Sequence, residues 1–317
     1  MDRNDQKIIS QIRKNVNAKI WKCNKRSCTN PAINSHLLQR NGILNKIAEN
    51  GHVMELKSID PFKWGSESVP LEFKKVGIGS ALSLSLFCND CDSQIFKRIE
   101  TGQLDLFDYQ SLLLFCYRIV CAEQRKKEQA VEVQQRILKA VSLKGKFGPE
   151  YLSLLKGNEL GIKDLEKFKS IIEAEIMIPR QIFQFETYTY PLLKVYGSAV
   201  FSTYDVGDVE EVERTNFDDV FIHVIPSDKH LHIICGYLKQ FCTKWIADYV
   251  ESWRGLTDEQ LTKGLTNLFS SRIENWGMAP SIHQNISRRT INKMIDFWGK
   301  NVMNMSKNLQ ADFNLFR

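Results

Sequence analysis

The chain has 317 residues, 43% hydrophobic and 25% charged, with a net charge of +6. Those values describe an ordinary globular protein, long enough for more than one domain, and exclude a disordered or fibrous chain. No stretch reaches the roughly 18–20 apolar residues of a membrane span, and the opening MDRNDQKIISQIRKN holds no apolar signal core, so a cytoplasmic protein with no membrane partner is expected.

In a reducing compartment, eight cysteines read as metal ligands or buried thiols and not as a disulfide framework. Residues 1–100 carry 16 Lys and Arg against 10 Asp and Glu, whereas the remaining 217 residues balance at 27 each. A basic first third suits a phosphate-rich partner, and it also suits an ordinary solvated surface.

In chain order, Ile8, Ile9, Ile12, Val16 and Ile20 recur at helical spacing and predict an N-terminal helix. The Cys- and Asn-rich segment WKCNKRSCTNPAINSH follows. LLQRNGILNKIAEN then reads as a helix that Asn41-Gly42 could break. Residues 52–87, with Pro61, Gly65, Pro70, Gly77 and Gly79, read as irregular or strand-rich. CNDCDSQIFKRIE has the look of a helix start, with Asp92 placed to favour the helix dipole. Residues 105–178 have helical periodicity with few breakers and predict a helical hairpin or small bundle. From about residue 180, QIFQFETYTYPLLKVYGSAVFSTYD is rich in aromatic and β-branched residues and predicts strands. DDVFIHVI and HLHIICGY flank Pro226-Ser227-Asp228 and predict a hairpin. After residue 237 the pattern returns to helix, and Thr257 with Gln260 forms a capping-box signature.

Four of the cysteines fall into Cys23-x4-Cys28 and, across 59 intervening residues, Cys88-x2-Cys91. Two close pairs separated by an insertion suit a tetrahedral zinc site, because each short loop presents two thiolates at about 2.3 Å from one ion. Two alternatives stay open: four unrelated reduced thiols, and a site in which His36 replaces one cysteine. Cys116, Cys121, Cys235 and Cys242 read as buried structural thiols.

With Ser35-His36 after the first pair and Phe87-Cys88-x2-Cys91-Asp92-x3-Phe96 at the second, residues 20–100 resemble the zinc-stapled HNH, or ββα-metal, endonuclease module. They also resemble a set of poorly characterised bacterial proteins, some of which are thought to act in anti-phage defence. The resemblance implies an α+β fold, with a zinc-bearing, treble-clef-like module at 1–104. The periodicity adds a helical region at 105–178 and a C-terminal part at 179–317, antiparallel β plus helices. The resemblance implies His36 as general base and Asp92 as ligand of a catalytic Mg²⁺ or other divalent ion, with Cys23, Cys28, Cys88 and Cys91 on structural zinc. The activity implied is cleavage of phosphodiester bonds in DNA or RNA, with the remainder sensing a trigger or a protein partner. Ser35 stands where many such nucleases have a metal-binding Asp, and no central Asn is evident. The competing expectation is therefore a non-catalytic, zinc-stabilised binding or sensor protein.

Three other features invite chemistry. His223, His230 and His232 cluster in the predicted hairpin. A five-residue loop would place residue 223 opposite 233 and residue 232 opposite 224, with His223 and His232 on opposite faces, which disfavours a shared metal. Arg125, Lys126, Lys127 and Arg136 could meet phosphates, yet the interleaved Glu123, Glu128 and Glu132 favour a salt-bridged helix face. Glu274, Asn275 and Trp276 read as a loop between helices, with Trp276 packed in the core. His52 reads as a histidine in a surface turn. No phosphate-binding Gly-rich loop, G-x-S-x-G or H-E-x-x-H motif is present.

Overall fold

The computed structural model describes residues 2–60, 70–100, 104–202, 216–301, 306 and 309–317, so the predicted loop residues Pro61 and Gly65 lie outside the described residues. The chain is mixed α+β, with an antiparallel sheet at its centre.

The first helix, α1 (Arg3–Asn17), starts on a capping box in which Asp2 and Asp5 satisfy each other's backbone N–H. Its Ile9 packs with Ile137 and Leu143. The segment predicted as one helix at 37–50 is shorter: Arg40–Leu44 forms a π turn running into α2 (Asn45–Ile47). Asn50 and Gly51 then both adopt left-handed φ, and Glu49 and His52 exchange backbone hydrogen bonds across them. That is the tight reversal an Asn-Gly pair favours.

Five further elements fill the first hundred residues. They are β1 (Asn34–His36), β2 (His52–Ser58), β3 (Leu71–Gly77), β4 (Ser83–Ser85) and α3 (Asn89–Ile95), followed by the single turn α4 (Lys97–Glu100). Among the described residues β1 pairs only with β4, as a separate two-stranded ribbon.

The predicted helical hairpin is present as α5 (Tyr109–Lys139) and α6 (Pro149–Met177). Asp108 caps α5 through the Ser111 N–H at 2.8 Å, and Pro149 opens α6, where its missing N–H costs nothing. Glu175, fully buried, accepts from the Tyr109 hydroxyl and the Arg180 N–H and fixes the exit from α6 into the sheet.

Next come β5 (Phe183–Pro191), β6 (Val195–Phe201), β7 (Val220–Pro226), β8 (His230–Leu238) and β9 (Trp276–Met278). Between β8 and β9 lie α7 (Lys244–Glu251) and α8 (Asp258–Ser271), and α9 (Pro280–Asn285) and α10 (Arg288–Asn301) follow β9. The capping box expected at Thr257 and Gln260 opens α8.

The seven strands run in the order β3-β2-β9-β6-β7-β8-β5. Alternation along each strand serves two faces. Phe221 and Ile225 meet the α5–α6 side, whereas Val220, Ile222 and Val224 pack with Ile246 of α7, Leu265 and Phe269 of α8, and Trp253 from the turn between them. The sheet is therefore the middle layer of three, and both faces are apolar. It unites strands from 52–77 with strands from 183–278, and α5 and α6 share the core on one of its faces.

The connection runs through β9, a strand of three residues inside the segment read as a loop. Gly277 fits there because a side chain would collide with the Tyr196 hydroxyl and the Met54 carbonyl. Trp276 is core-packed as expected, stacked on Phe269 at 4.4 Å.

The β7–β8 hairpin is also as expected, but its register differs by one residue. His223 lies opposite Ile234, and His232 opposite Ile225. The turn is tighter than five residues, since Ser227 N–H reaches the His230 carbonyl at 2.7 Å. One residue of slip moves every side chain to the other face. His223 and His232 therefore share a face, yet they have different surroundings: His223 is buried against α5, and His232 contacts Thr189 and Ser227 at the hairpin end.

Candidate metal centre

The first cysteine pair sits on a folded-back loop. Cys23 N–H donates to the Asn30 carbonyl at 2.9 Å, Ala32 N–H to the Trp21 carbonyl at 2.8 Å, and Cys28 N–H closes the tip onto the Lys25 carbonyl at 3.1 Å. Ser27, at the tip, takes a left-handed φ of 67°. This loop is stitched to the chain entering the second pair: Ile33 N–H donates to the Phe87 carbonyl at 2.7 Å, and Asn24 N–H to the Leu86 carbonyl at 2.8 Å. Cys88 then serves as the N-cap of α3, and Cys91 lies in its first turn. Each pair is thus presented by backbone geometry that its own short spacing allows.

All four sulfurs lie within 4.8 Å of one another, and Cys28 Sγ is 3.8 Å from Cys88 Sγ. Four sulfurs about 2.3 Å from one ion at tetrahedral angles stand about 3.8 Å apart. A disulfide would bring two of them to about 2.05 Å, and all four are free thiols. The set is compatible with a zinc site.

The electrostatics fit a metal as well. The Cys91 backbone N–H pulls the Cys88 thiol down to about 7. Burial pushes the Cys23 and Cys91 thiols up. Without a cation, four crowded thiols cannot all ionise, because each thiolate opposes the next; a divalent ion removes that opposition and the protons leave together.

No family model, curated protein or solved structure matches the chain.

The first knuckle is pinned from behind by residues that sequence reading placed elsewhere. Arg125 on α5 forms its expected pair with Glu128 at 2.9 Å, but its guanidinium is buried. It bonds the Lys22 carbonyl and the Asn24 side chain, and it packs over the Trp21 ring at 4.8 Å. Lys169 on α6, also buried, donates to the Asn24 carbonyl and to Gln124. The remaining expected pairs, Lys126 with Glu123 and Arg136 with Glu132, are formed on the helix face. Nothing in a lysine- and arginine-rich helix distinguishes the one cation that turns inward. The usable signal was Trp21, two residues before the first cysteine, an aromatic face that draws cations: Lys19 sits over it at 4.5 Å as well as Arg125.

The structure gives His36 and Asp92 separate partners. His36 ends β1, and its Nε2 lies 2.8 Å from the Ile78 carbonyl. Asp92 faces the buried Arg118 of α5 at 3.9 Å, and Arg118 also pairs with Glu100 at 2.6 Å and packs on Phe96. Ser35, buried beside His36, accepts from the Phe87 N–H at 3.3 Å.

Among the other candidates, Cys116, Cys121 and Cys235 are buried as expected. Cys242 is exposed, because it falls in the turn between β8 and α7 and not on the helix itself. His52 lies at the reversal before β2, with Nδ1 on the Asn50 carbonyl. Among the described residues, the four cysteines are the one cluster of three or more potential ligands.

Proposed function

We propose that Cys23, Cys28, Cys88 and Cys91 hold one zinc ion as a closed structural site, and that the module it staples serves binding and not chemistry. The observation that carries this reading is the sulfur geometry: four thiols gather within 4.8 Å of one another, one pair at the 3.8 Å edge of a tetrahedron, and would fill every position of the ion. A metal with four protein ligands keeps no open position for water or substrate, which is the mark of structural zinc.

A treble-clef-like reading is supported by three parts: a knuckle bearing two cysteines, a two-stranded ribbon of β1 and β4, and a helix whose start supplies the other two. The proposed partner is nucleic acid. Residues 6–48 hold nine Lys and Arg and no Asp or Glu, and Lys22, Lys25 and Arg26 of the knuckle are exposed. Binding to DNA or RNA would then weaken steeply with salt, as released counterions dictate. Fluorescence anisotropy with labelled duplex and single strands at two salt concentrations tests it. Affinity that ignores salt, or survives replacement of all three knuckle cations, would count against it.

A nuclease reading keeps one specific observation. If His36 Nε2–H donates to the Ile78 carbonyl, the ring leaves Nδ1 as a lone-pair base at the end of a ββα unit. Its test is cleavage of plasmid or RNA with Mg²⁺ or Mn²⁺. Activity lost in His36→Ala with zinc content unchanged would establish the nuclease. Intact nucleic acid across metals and substrates, with folded protein, would leave the binding role.

A further inference from the structure

The two edges of the seven-stranded sheet differ in how they are guarded. β3, at one end of the order, carries Glu72, Lys74 and Lys75, charges that discourage further pairing. β5, at the other end, is nine residues long and rich in aromatic and β-branched residues, with Glu186 as its one charge. Lys239 N–H donates to the Ile182 carbonyl at 2.9 Å, and Phe183 lies opposite Leu238. Because antiparallel bonding alternates, Gln184, Glu186, Tyr188 and Tyr190 bond β8, whereas Phe183, Phe185, Thr187 and Thr189 turn their N–H and C=O outward. Phe183 N–H is taken by the Tyr109 hydroxyl at 3.2 Å. Among the described residues, the outward backbone groups of Phe185, Thr187 and Thr189 bond nothing. Exposed apolar side chains flank the same edge. Phe107, 70% exposed, follows Leu106, whose carbonyl accepts the Thr187 hydroxyl at 3.3 Å. Met177 and Ile178, 79% and 69% exposed, leave α6 beside Glu175, which holds the Tyr109 hydroxyl at the start of β5.

An open, charge-poor edge lined by apolar groups is a template for another strand. We propose that a second copy of this chain supplies it, β5 against β5, antiparallel about a two-fold axis at Thr187. The strand is self-complementary about that residue. Thr187 faces its own copy and exchanges both backbone bonds with it, and Phe185 does the same with Thr189 of the second copy. Every outward group that lacked a partner then has one. Glu186 falls opposite Tyr188 of the second copy. Arg254, 5.6 Å over the Tyr188 ring and 3.9 Å from its own Glu186, then meets a carboxylate from each copy. An axis at Glu186 would set two carboxylates face to face. An axis at Tyr188 would put Phe185 opposite Pro191, which has no N–H to give. Phe107, beside Thr187, comes near the axis and adds the apolar area that a strand pair alone lacks. The assembly depends neither on the metal centre nor on nucleic acid.

Sedimentation velocity of the full chain across the micromolar range tests the assembly, and cross-linking tests its register. The expected result is a reversible shift from one chain to two as concentration rises. Thr187→Pro deletes an outward N–H and no bond to β8, so it should weaken the dimer at least tenfold with circular dichroism unchanged. Phe107→Lys, at an exposed position, should weaken it several-fold. At the axis the two Thr187 Cα atoms stand about 5.5 Å apart, within reach of a disulfide. With the exposed Cys242 replaced by Ser, Thr187→Cys should therefore cross-link to its own copy on mild oxidation. Gln184→Cys, set about 20 Å from its copy, should not. A single chain at every concentration, a dimer equally tight in folded Thr187→Pro and Phe107→Lys proteins, or cross-linking at Gln184 as efficient as at Thr187 would each overturn the assignment.

Discussion

The cysteine-bearing ribbon and the seven-stranded sheet solve the same problem with different means. β1 and β4 pair over three residues each, too few to stand alone in water. In the proposed reading their order comes from a metal cross-link through four sulfurs drawn from residues 23–28 and 88–91. The sheet needs no such tie, because β5 and β8 pair over nine residues and both of its faces are covered by helices. On this reading a short ribbon gains a local staple beside the apolar contacts of Leu37, Leu82, Leu86 and Phe87, whereas a long sheet is held by buried apolar area alone. The two regions meet where Arg125 and Lys169 grip the knuckle from the helical layer.

The sharpest way to separate them is to take the staple away. Cys91→Ser, or stripping with a strong chelator, should remove the metal and destabilise the ribbon on the order of 5 kcal/mol. In hydrogen exchange, residues 20–37 and 82–96 should lose protection while β6, β7 and β8 keep theirs. Equal loss across the sheet would show that the two regions are not independently held. On the other side, Trp276→Ala leaves the cysteines alone and empties a site stacked on Phe269, so it should cost about 3–5 kcal/mol with zinc content unchanged. Chemical denaturation with metal analysis reads both quantities.

Smaller effects sharpen the comparison further. Burial holds the His223 imidazole neutral, pushed down to about 3 from its ordinary 6.5, between Ser198 Oγ at 2.9 Å and Cys116. The neutral ring is the form the fold accepts. Its contribution is therefore complete above pH about 6.5 and is lost as pH falls toward 3, at up to about 1.4 kcal/mol per unit. Between pH 6.5 and 5, wild type should lose about 2 kcal/mol more than His223→Gln; parallel pH profiles would contradict this. Smallest of all, Ser27→Gly at the knuckle tip should stabilise by up to about 1 kcal/mol, since glycine holds a left-handed φ without steric cost. A clear loss of stability there would mean that the Ser27 side chain has a role beyond its φ.

What could be read in advance follows the same division. Local signals were legible: the paired cysteines, the capping box at Thr257, the long helices, and the β7–β8 hairpin all rest on spacings of a few residues. Long-range choices were not. Three residues, Trp276 to Met278, have no periodicity, so the strand that joins β2 to β6 was invisible, and the need for Gly277 appears only once Tyr196 lies across it. The hairpin register turned on one residue of turn length, which sequence leaves open. Arg125 looked like its exposed neighbours, because pairing with Glu128 and bonding the Lys22 carbonyl require no different local pattern. Of the proposed site residues, spacing pointed to the four thiols, whereas His36 and Asp92 rested on resemblance and have contacts of their own.

The central claim is that one ion ties the two cysteine pairs together. X-ray absorption at the zinc edge on protein purified without added metal addresses it directly. The account predicts one zinc per chain with four sulfur neighbours at about 2.3 Å. A folded, equally stable protein free of metal, or an ion whose nearest neighbours include nitrogen or oxygen, would contradict it.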